Sequence, residues 1–278
     1  MATNQICLIL DCDGTLAKDT TSLLVKEAGL SSRGEFWTKV RAMTRKGWDP
    51  SLAWTTLLVK EAGPRLTRTF IKETAKKIEF HPEATRIRRT LESYCGNCAS
   101  QSHIKAQLKV HVVTSGFEDL LSQSDLKDAA DEIWGSLLDF DQTGRVIGPK
   151  STVSFTEKTK FIFAINKGIT KGQLRRKPER VNDLVPRNSR PVPFDHMIYV
   201  GDGVTDIPCY SLIQQHGGQA VGIRNEEDSN RRSKGPYLWN YRPRWGPFKP
   251  DYSQCSDLTK VLKDLVRDAV LRLPGADS

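Results

Sequence analysis

The stretch that decides the fold is QICLIL at residues 5–10, followed directly by DCDGT at residues 11–15. The apolar run is short and stops at a glycine turn, which is typical of a buried strand in a parallel sheet. Alternation along an extended backbone places the side chains of Asp11 and Asp13 on the same side. Two carboxylates this close repel each other unless a cation or a shared proton intervenes. The segment therefore predicts a strand that ends at a cation or proton site.

A calcium-binding loop is a rival interpretation of these aspartates. In such a loop the glycine would come three residues after the second acid, and the later ligand spacing is missing here. A plain surface turn also stays open while the motif is considered alone.

A second acidic motif follows a similar apolar run. MIYV at residues 197–200 continues into GDGVTD at residues 201–206, which alone is also compatible with an ordinary Asp-Gly turn. Magnesium prefers hard oxygen ligands and keeps several waters, with few carboxylates. We therefore predict that Asp11 and Asp202, with a main-chain carbonyl, bind Mg²⁺. Asp206 is predicted to bind the ion through water or to orient Lys158.

Two weaker signals predict a phosphate site. The apolar run VHVV at residues 110–113 ends in Thr114, Ser115 and Gly116, whose hydroxyl and amide groups suit phosphate oxygens. An ordinary helix cap is the alternative. Lys158 lies where a helix is predicted to begin, and a fixed ammonium there would offset phosphate charge. The alternative for Lys158 is a solvated surface side chain.

Short apolar strands alternate with helical patterns, which predicts a doubly wound parallel α/β sheet. Residues from about 18 to 77 are predicted as helices, interrupted at Gly47 and Pro50, and form an insertion over the carboxyl ends of the strands. Asp141 to Gly144 is predicted as a hairpin turn. Thr156 is predicted to cap the helix that follows it.

Composition bounds the class of protein. The chain has 278 residues, 38% of them hydrophobic and 27% charged, which is typical of a globular protein. No run approaches the roughly 18 apolar residues of a membrane helix, and the N-terminus lacks the basic region of a signal peptide. We therefore expect a cytoplasmic protein with no membrane partner. Cys95 and Cys98 form a lone CxxC without further zinc ligands, so incidental thiols are expected there.

The formal net charge is +9, and it is unevenly distributed. Residues 167–190 contain eight basic residues against two acidic ones, Glu179 and Asp183. A solvated loop and a contact surface for an acidic substrate or nucleic acid are both open. A Trp- and Pro-rich segment at residues 237–248, which contains Trp239 and Trp245, is either ordinary packing or a wall for substrate or partner.

Four motifs, in this order, resemble those of the haloacid dehalogenase (HAD) superfamily. They are DCDGT at 11–15, VVTSG at 112–116, Lys158 before FIFAI, and YVGDGVTD at 199–206. The first and last motifs are specific, whereas the other two are weaker. Together they span most of the chain.

The resemblance implies a HAD Rossmann-like core made of residues 1–16 and 80–278, with a helical C1 cap at residues 17–79. It also implies the phosphoserine-phosphatase-like branch. It implies that Asp11 is the nucleophile and Asp13 the general acid/base. It also implies that Thr114 and Lys158 bind the phosphoryl group. The implied magnesium ligands are Asp11, Asp202 and the Asp13 carbonyl, with Asp206 in support. Phosphatases and phosphomutases of the superfamily have an aspartate at the position of Asp13, whereas its dehalogenases and P-type ATPases lack one.

The chain departs from true phosphoserine phosphatases at the positions that recognise the amino acid. By approximate alignment it has Thr20 in place of a glutamate and Thr55 in place of an arginine, with Asp19 one residue away. Thr205 also stands in place of an asparagine. These departures put phosphoserine itself in doubt as the substrate.

We therefore expect a Mg²⁺-dependent hydrolase that forms an aspartyl-phosphate from a small phosphorylated metabolite. One alternative is a nucleotide or nucleic-acid phosphatase that uses the basic residues 167–190. The other is a non-catalytic interaction module with a HAD-like fold.

Overall fold

The protein is described by a computed structural model that covers residues 4–30, 34–224 and 243–274. A seven-stranded sheet runs through its centre in the order β4-β3-β2-β1-β5-β6-β7. The strands are β1 (Gln5–Leu10), β2 (Gln107–Phe117), β3 (Glu132–Phe140), β4 (Val146–Ser151), β5 (Met197–Gly201), β6 (Gln219–Ile223) and β7 (Trp245–Phe248). All neighbouring pairs are parallel except β3 with β4. The predicted doubly wound α/β fold is confirmed.

Alternation along β1 explains how the sheet buries both faces. Leu8 and Leu10 pack with α5 (Ile87–Gln101) and α10 (Asp257–Leu271) on one face. Cys7 and Ile9 point the other way, toward α7 (Glu157–Lys167), α8 (Lys171–Arg176) and α9 (Ile207–Gln215). A strand covered on both faces has to be apolar throughout, which is why QICLIL shows no polar alternation.

Four helices lie between β1 and α5: α1 (Thr20–Glu27), α2 (Glu35–Arg45), α3 (Pro50–Ala62) and α4 (Arg68–Ala75). Asp49 caps α3 by accepting a hydrogen bond from the Leu52 amide, and Pro50 occupies its first turn. This is why the helical pattern breaks between residues 45 and 50. The helical insertion is present where the sequence predicts it.

The inserted helices share a hydrophobic cluster with the sheet. Trp54 of α3 packs against Phe117 at the end of β2, with ring centroids 4.9 Å apart. The Val146 amide of β4 donates to the Leu66 carbonyl at 2.9 Å, which joins the β3–β4 hairpin to the loop before α4. The division into residues 1–16 with 80–278 and residues 17–79 stays a prediction.

Several local features differ from the sequence predictions. Thr156 precedes α7, but its side chain makes no capping hydrogen bond, so that prediction is wrong. Its backbone is already helical and its carbonyl instead accepts a hydrogen bond from the Thr159 hydroxyl. β7 was not predicted, because Gly246 and Pro247 interrupt its apolar pattern. Residues 237–242 of the Trp- and Pro-rich segment, including Trp239, lie outside the described residues.

The basic segment folds back on acidic residues that are distant in sequence. Lys171 and Arg175 of α8 form ion pairs of 3.0 and 2.6 Å with Glu118, at the start of the short helix α6 (Glu118–Leu121). Arg187 pairs with Asp195 at 2.8 Å. Part of the charge that looked unopposed in the sequence is therefore used to fix the segment to the core.

Two remaining expectations concern thiols and membranes. Cys95 and Cys98 are buried on α5, and burial, helped by the neighbouring Cys98, raises the pKa of Cys95 to about 11. Such a thiol is mostly protonated at neutral pH and is a poor nucleophile or ligand. In residues 4–30, 34–224 and 243–274, none of the helices has the length and apolar character that crossing a bilayer requires.

Candidate active site

The two acidic motifs meet because β1 and β5 are neighbouring parallel strands. Leu10 pairs with Val200 in register, and the Asp11 amide donates to the Val200 carbonyl at 2.9 Å. Asp11 and Asp202 therefore leave the sheet side by side at its carboxyl edge, where open α/β sheets bind ligands.

Three buried carboxylates form the centre of this edge. One oxygen each from Asp11, Asp202 and Asp206 lie within 4.8 Å of one another. The three side chains are almost fully removed from solvent. An uncompensated cluster of buried carboxylates is strongly unfavourable, because each charge has lost its hydration. Carboxylate oxygens at this spacing suit a hard divalent cation.

Lys158 partly neutralises the cluster from the second residue of α7. Its ammonium is buried and lies 2.9 Å from Asp11 Oδ1 and 2.6 Å from Asp206 Oδ1. Burial on its own would lower the pKa of Lys158, but the two carboxylates outweigh it and raise that pKa well above its ordinary value. The lysine is therefore a permanent cation inside the site, and the solvated-surface alternative for it is wrong.

Asp206 is fully engaged in hydrogen bonds. Its Oδ1 also accepts from the Tyr199 hydroxyl at 2.7 Å, and its Oδ2 accepts from the Asp202 and Gly203 amides at 3.0 and 2.8 Å. These contacts orient Lys158 and fix the turn that presents Asp202. The arrangement leaves Asp11 and Asp202 as the better direct ligands of a cation, and it favours the supporting role predicted for Asp206.

Asp11 has an environment suited to a nucleophile. Burial raises its pKa to about 6, with the Asp206 charge adding to that rise and Lys158 opposing it. A carboxylate with this pKa is mostly ionised at neutral pH and has lost its hydration shell. A bound divalent cation would hold it ionised more firmly still.

Asp13 has a hydrogen-bond partner of its own outside this cluster. Its Oδ1 accepts from the backbone amide and the hydroxyl of Thr20, at 2.9 and 2.6 Å. Burial, followed by the nearby Asp19 charge, raises the pKa of Asp13 to about 7. A group that exchanges its proton near neutral pH is suited to general acid and base catalysis.

The Thr114–Gly116 segment ends β2 beside Asp13. The Gly116 amide donates to Thr114 Oγ1 at 3.0 Å. A Cβ atom on Gly116 would lie 3.4 Å from Thr20 Oγ1 and 3.7 Å from Asp13 Oδ2, so the chain passes close to both. Thr114 Oγ1 lies 3.3 Å from the same added Cβ, so the Thr114 hydroxyl, Thr20 and Asp13 all approach Gly116, which favours Thr114 as a phosphate ligand.

Three residues to which the sequence analysis assigned no catalytic or binding role also shape the site. Tyr199 and Thr20 bind Asp206 and Asp13, as described, and Thr15 Oγ1 lies 3.3 Å from Asp202 Oδ1. Tyr199 lies in an otherwise apolar buried strand, where a phenol needs a hydrogen-bond partner. That requirement is a sequence signal that could have identified it.

The chain shares its fold with solved structures that include phosphoserine phosphatases. A substrate-bound phosphoserine phosphatase matches with a TM-score of 0.55 and 15% identity, over 94% of this chain and 98% of that one. A probable phosphoserine phosphatase from Vibrio cholerae matches with a TM-score of 0.52 and 15% identity, over 97% of this chain and 66% of that one. Cytosolic 5'-nucleotidase IIIB bound to cytidine matches with a TM-score of 0.50 and 14% identity, over 96% of this chain and 86% of that one. The resemblance stated from the motifs is confirmed at the level of the fold.

Sequence comparisons reach less far. No protein-family model matches the chain. An uncharacterised protein of Borreliella burgdorferi is 26% identical over 145 residues, or 46% of this chain. That match spans 48% of the relative, about half of its length.

Proposed function

We propose that this protein is a Mg²⁺-dependent phosphomonoester hydrolase that works through an aspartyl-phosphate on Asp11. The observation that carries the proposal is the position of Asp11. Its carboxylate is held by Lys158, lies within reach of Asp202, and is followed two residues later by Asp13 with a pKa of about 7. A nucleophile, a fixed cation and an acid/base thus meet at one sheet edge.

The donor set fits magnesium. The Asp11 and Asp202 carboxylates and the Asp13 carbonyl would hold the ion, and Asp206 would support it by fixing Asp202. When bound, the ion would neutralise charge on the phosphoryl oxygens and hold Asp11 ionised. Lys158 and Thr114 would bind the remaining phosphoryl oxygens.

In the first step, an Asp11 oxygen attacks phosphorus in line with the leaving oxygen. The new bond joins Asp11 to phosphorus, the bond from phosphorus to the leaving oxygen breaks, and Asp13 gives its proton to that oxygen. In the second step, Asp13 takes a proton from water, whose oxygen attacks phosphorus. Inorganic phosphate leaves and the Asp11 carboxylate is regenerated. Catalysis rests on positioning and charge neutralisation.

The substrate is proposed to be a small phosphorylated metabolite other than phosphoserine. The Asp19 carboxylate is already engaged as the cap of α1, because it accepts hydrogen bonds from Ser22 and Thr21. Thr55 is fully buried in α3 and donates to the Ser51 carbonyl at 2.8 Å. Thr55 therefore offers no positive charge for the carboxylate of a free amino acid.

A nucleotide or nucleic-acid phosphate is the second candidate, because residues 167–190 remain rich in exposed basic groups. The ion pairs of Lys171, Arg175 and Arg187 weaken it, since paired charges attract an acidic partner less. Phosphate contacts to nucleic acid would make binding fall steeply with salt. A non-catalytic module is disfavoured because Lys158 and three buried carboxylates, those of Asp11, Asp202 and Asp206, lie together at one sheet edge.

The experiment that tests the function compares wild-type protein with Asp11→Asn on a panel of phosphomonoesters with Mg²⁺. We expect kcat to fall by roughly 10³-fold or more, because no other group present replaces the nucleophile. Hydroxylamine should trap an aspartyl-phosphate in the wild-type protein only. Asp257→Asn, a change at an exposed residue of α10, serves as the matched control. Equal background activity of the wild type and Asp11→Asn would reject the proposal that the protein is a phosphomonoester hydrolase.

A further inference from the structure

A cavity of about 500 Å³ opens beside the two segments that connect the inserted helices to the sheet. Lys18 and Glu79 belong to these segments, and the Lys18 amide donates to the Glu79 carbonyl at 2.9 Å. One step further in, Ala17 and Phe80 form an antiparallel bridge. The cavity is therefore walled by both connections and by α1 and α2. Its volume lies within the range of about 300–1,000 Å³ found for small-molecule pockets.

Thr20 joins this cavity to the reaction centre. It lines the cavity, and its hydroxyl is 2.6 Å from Asp13 Oδ1. Asp13 is the residue proposed to protonate the leaving oxygen. The leaving oxygen has to meet Asp13, and Thr20 is the cavity-lining residue that contacts Asp13.

The inner wall of the cavity is apolar and aromatic. Trp37, Leu23 and Ile78 contribute to it. The Trp37 ring is held by its neighbours, with centroids 5.2 Å from Phe36 and 6.4 Å from Trp54. A ring fixed in this way offers a preformed flat surface, which favours a planar apolar group.

The cavity is lined by three lysines, Lys18, Lys26 and Lys77, and by two carboxylates, Asp19 and Glu79. Lys18 is paired with Glu79 and Lys77 with Glu27. Lys26 forms no ion pair with a carboxylate among residues 4–30, 34–224 and 243–274. Lys26 thus offers an ammonium in the cavity lining for an anionic group.

We infer that the leaving group of the substrate is a bulky aromatic alcohol that also carries a second anionic group. The inference rests on the proposed function and specifies its substrate class. The aromatic body packs on Trp37, and the anionic group faces Lys26. A leaving group as small as serine would leave most of the cavity wall without contact.

The test measures kcat/KM for ethyl phosphate, 2-naphthyl phosphate and 6-carboxy-2-naphthyl phosphate. Trp37→Leu should lower kcat/KM for both naphthyl esters about tenfold while ethyl phosphate changes less than about twofold. Lys26→Gln should lower the ratio of kcat/KM for the carboxynaphthyl ester to kcat/KM for the naphthyl ester about threefold, as expected for an exposed ion pair. Comparing each ratio with the wild-type ratio cancels the intrinsic reactivities of the esters.

Matched controls are Trp48→Leu and Lys46→Gln, which change exposed residues that do not line the cavity. Should Trp37→Leu fail to fold, Leu23→Trp fills the cavity instead, and it should impair the naphthyl esters but not ethyl phosphate. Unchanged ratios in Trp37→Leu or in Lys26→Gln would overturn the inference while leaving the hydrolase intact. If the wild type hydrolyses other phosphomonoesters but neither naphthyl ester, the inference fails and the hydrolase stands; if it hydrolyses no phosphomonoester, both fail.

Discussion

The carboxylate cluster and the lysine-lined cavity lie close together, yet they are built in different ways. In the cluster, strand register brings Asp11 beside Asp202, and Asp206 has a partner for each oxygen. In the cavity, side chains on helices and connecting segments form the wall. Replacing one of them by a side chain of similar volume would keep the shape of that wall. The cluster therefore tolerates little change, whereas the cavity can vary without loss of the chemistry. The two regions meet at Thr20.

The largest effect is expected from breaking the cluster with Lys158→Met. Removing one partner of a buried ion pair leaves uncompensated charge and typically costs about 3–5 kcal/mol. We expect the free energy of unfolding, measured by urea denaturation without divalent cations, to fall by about that amount. Added Mg²⁺ should reduce the difference in the free energy of unfolding between the wild type and Lys158→Met, because the ion places a positive charge beside Asp11 again.

Lys160→Met is the control, because Lys160 lies on the same helix but is partly exposed and pairs with Glu157. Its effect should stay below about 1 kcal/mol. Equal stabilities of the two variants would show that the Lys158 ion pairs do not hold the cluster together.

A smaller but still large effect is expected from Gly201→Ala. A Cβ at this position would lie 2.5 Å from Asp206 Oδ2, which is too close for the carboxylate to remain in place. Moving Asp206 displaces both Lys158 and the turn that presents Asp202. We expect kcat/KM to fall about 10²-fold, since misplacement by roughly 1 Å has that effect in other active sites.

Gly203→Ala is its control in the same turn. The atom nearest to its added Cβ is also Asp206 Oδ2, but at 3.4 Å, which is an ordinary contact distance. This variant should keep most of the activity. If Gly203→Ala were the more damaging of the two, the close packing at Gly201 would not be what positions Asp206.

The difference between the two regions also explains what could be predicted from the sequence. The strands β1, β2 and β5 are short apolar runs, and the polar residues that follow each of them meet because parallel strands share an edge. The placement of Asp11, Asp202 and Lys158 around one point follows from that rule and from the motif resemblance. No comparable rule exists for a cavity between helices.

What the sequence analysis missed depends on contacts between distant residues. Glu118 neutralises Lys171 and Arg175 across more than 50 positions, so the basic segment looked less compensated than it is. β7 was hidden by Gly246 and Pro247, and its pairing with β6 follows only from the assembled sheet. Trp37 gave no signal, because an aromatic residue at helical spacing is more often part of a core than a pocket wall.

The smallest effect is expected at the residue that joins the two regions. Thr20→Val removes the hydroxyl that lies 2.6 Å from Asp13 while keeping the backbone hydrogen bond and the volume. Because the two Thr20 hydrogen bonds lower the pKa of Asp13, losing one raises it. The acid form then persists to higher pH, so the alkaline decline of kcat/KM for the first step should move upward. At neutral pH we expect kcat to fall about threefold to tenfold, because the base form of Asp13 that the second step needs becomes scarcer.

That loss should be nearly equal for ethyl phosphate and the naphthyl esters, because Thr20 acts on Asp13 and not on the leaving group. Thr21→Val is the control, since the Thr21 hydroxyl bonds Asp19 instead. A selective loss of the naphthyl esters in Thr20→Val would assign Thr20 to the cavity wall. An alkaline limb that stays in place would mean that its hydroxyl does not tune Asp13, and the link between the two regions would then have to run through the backbone amide alone.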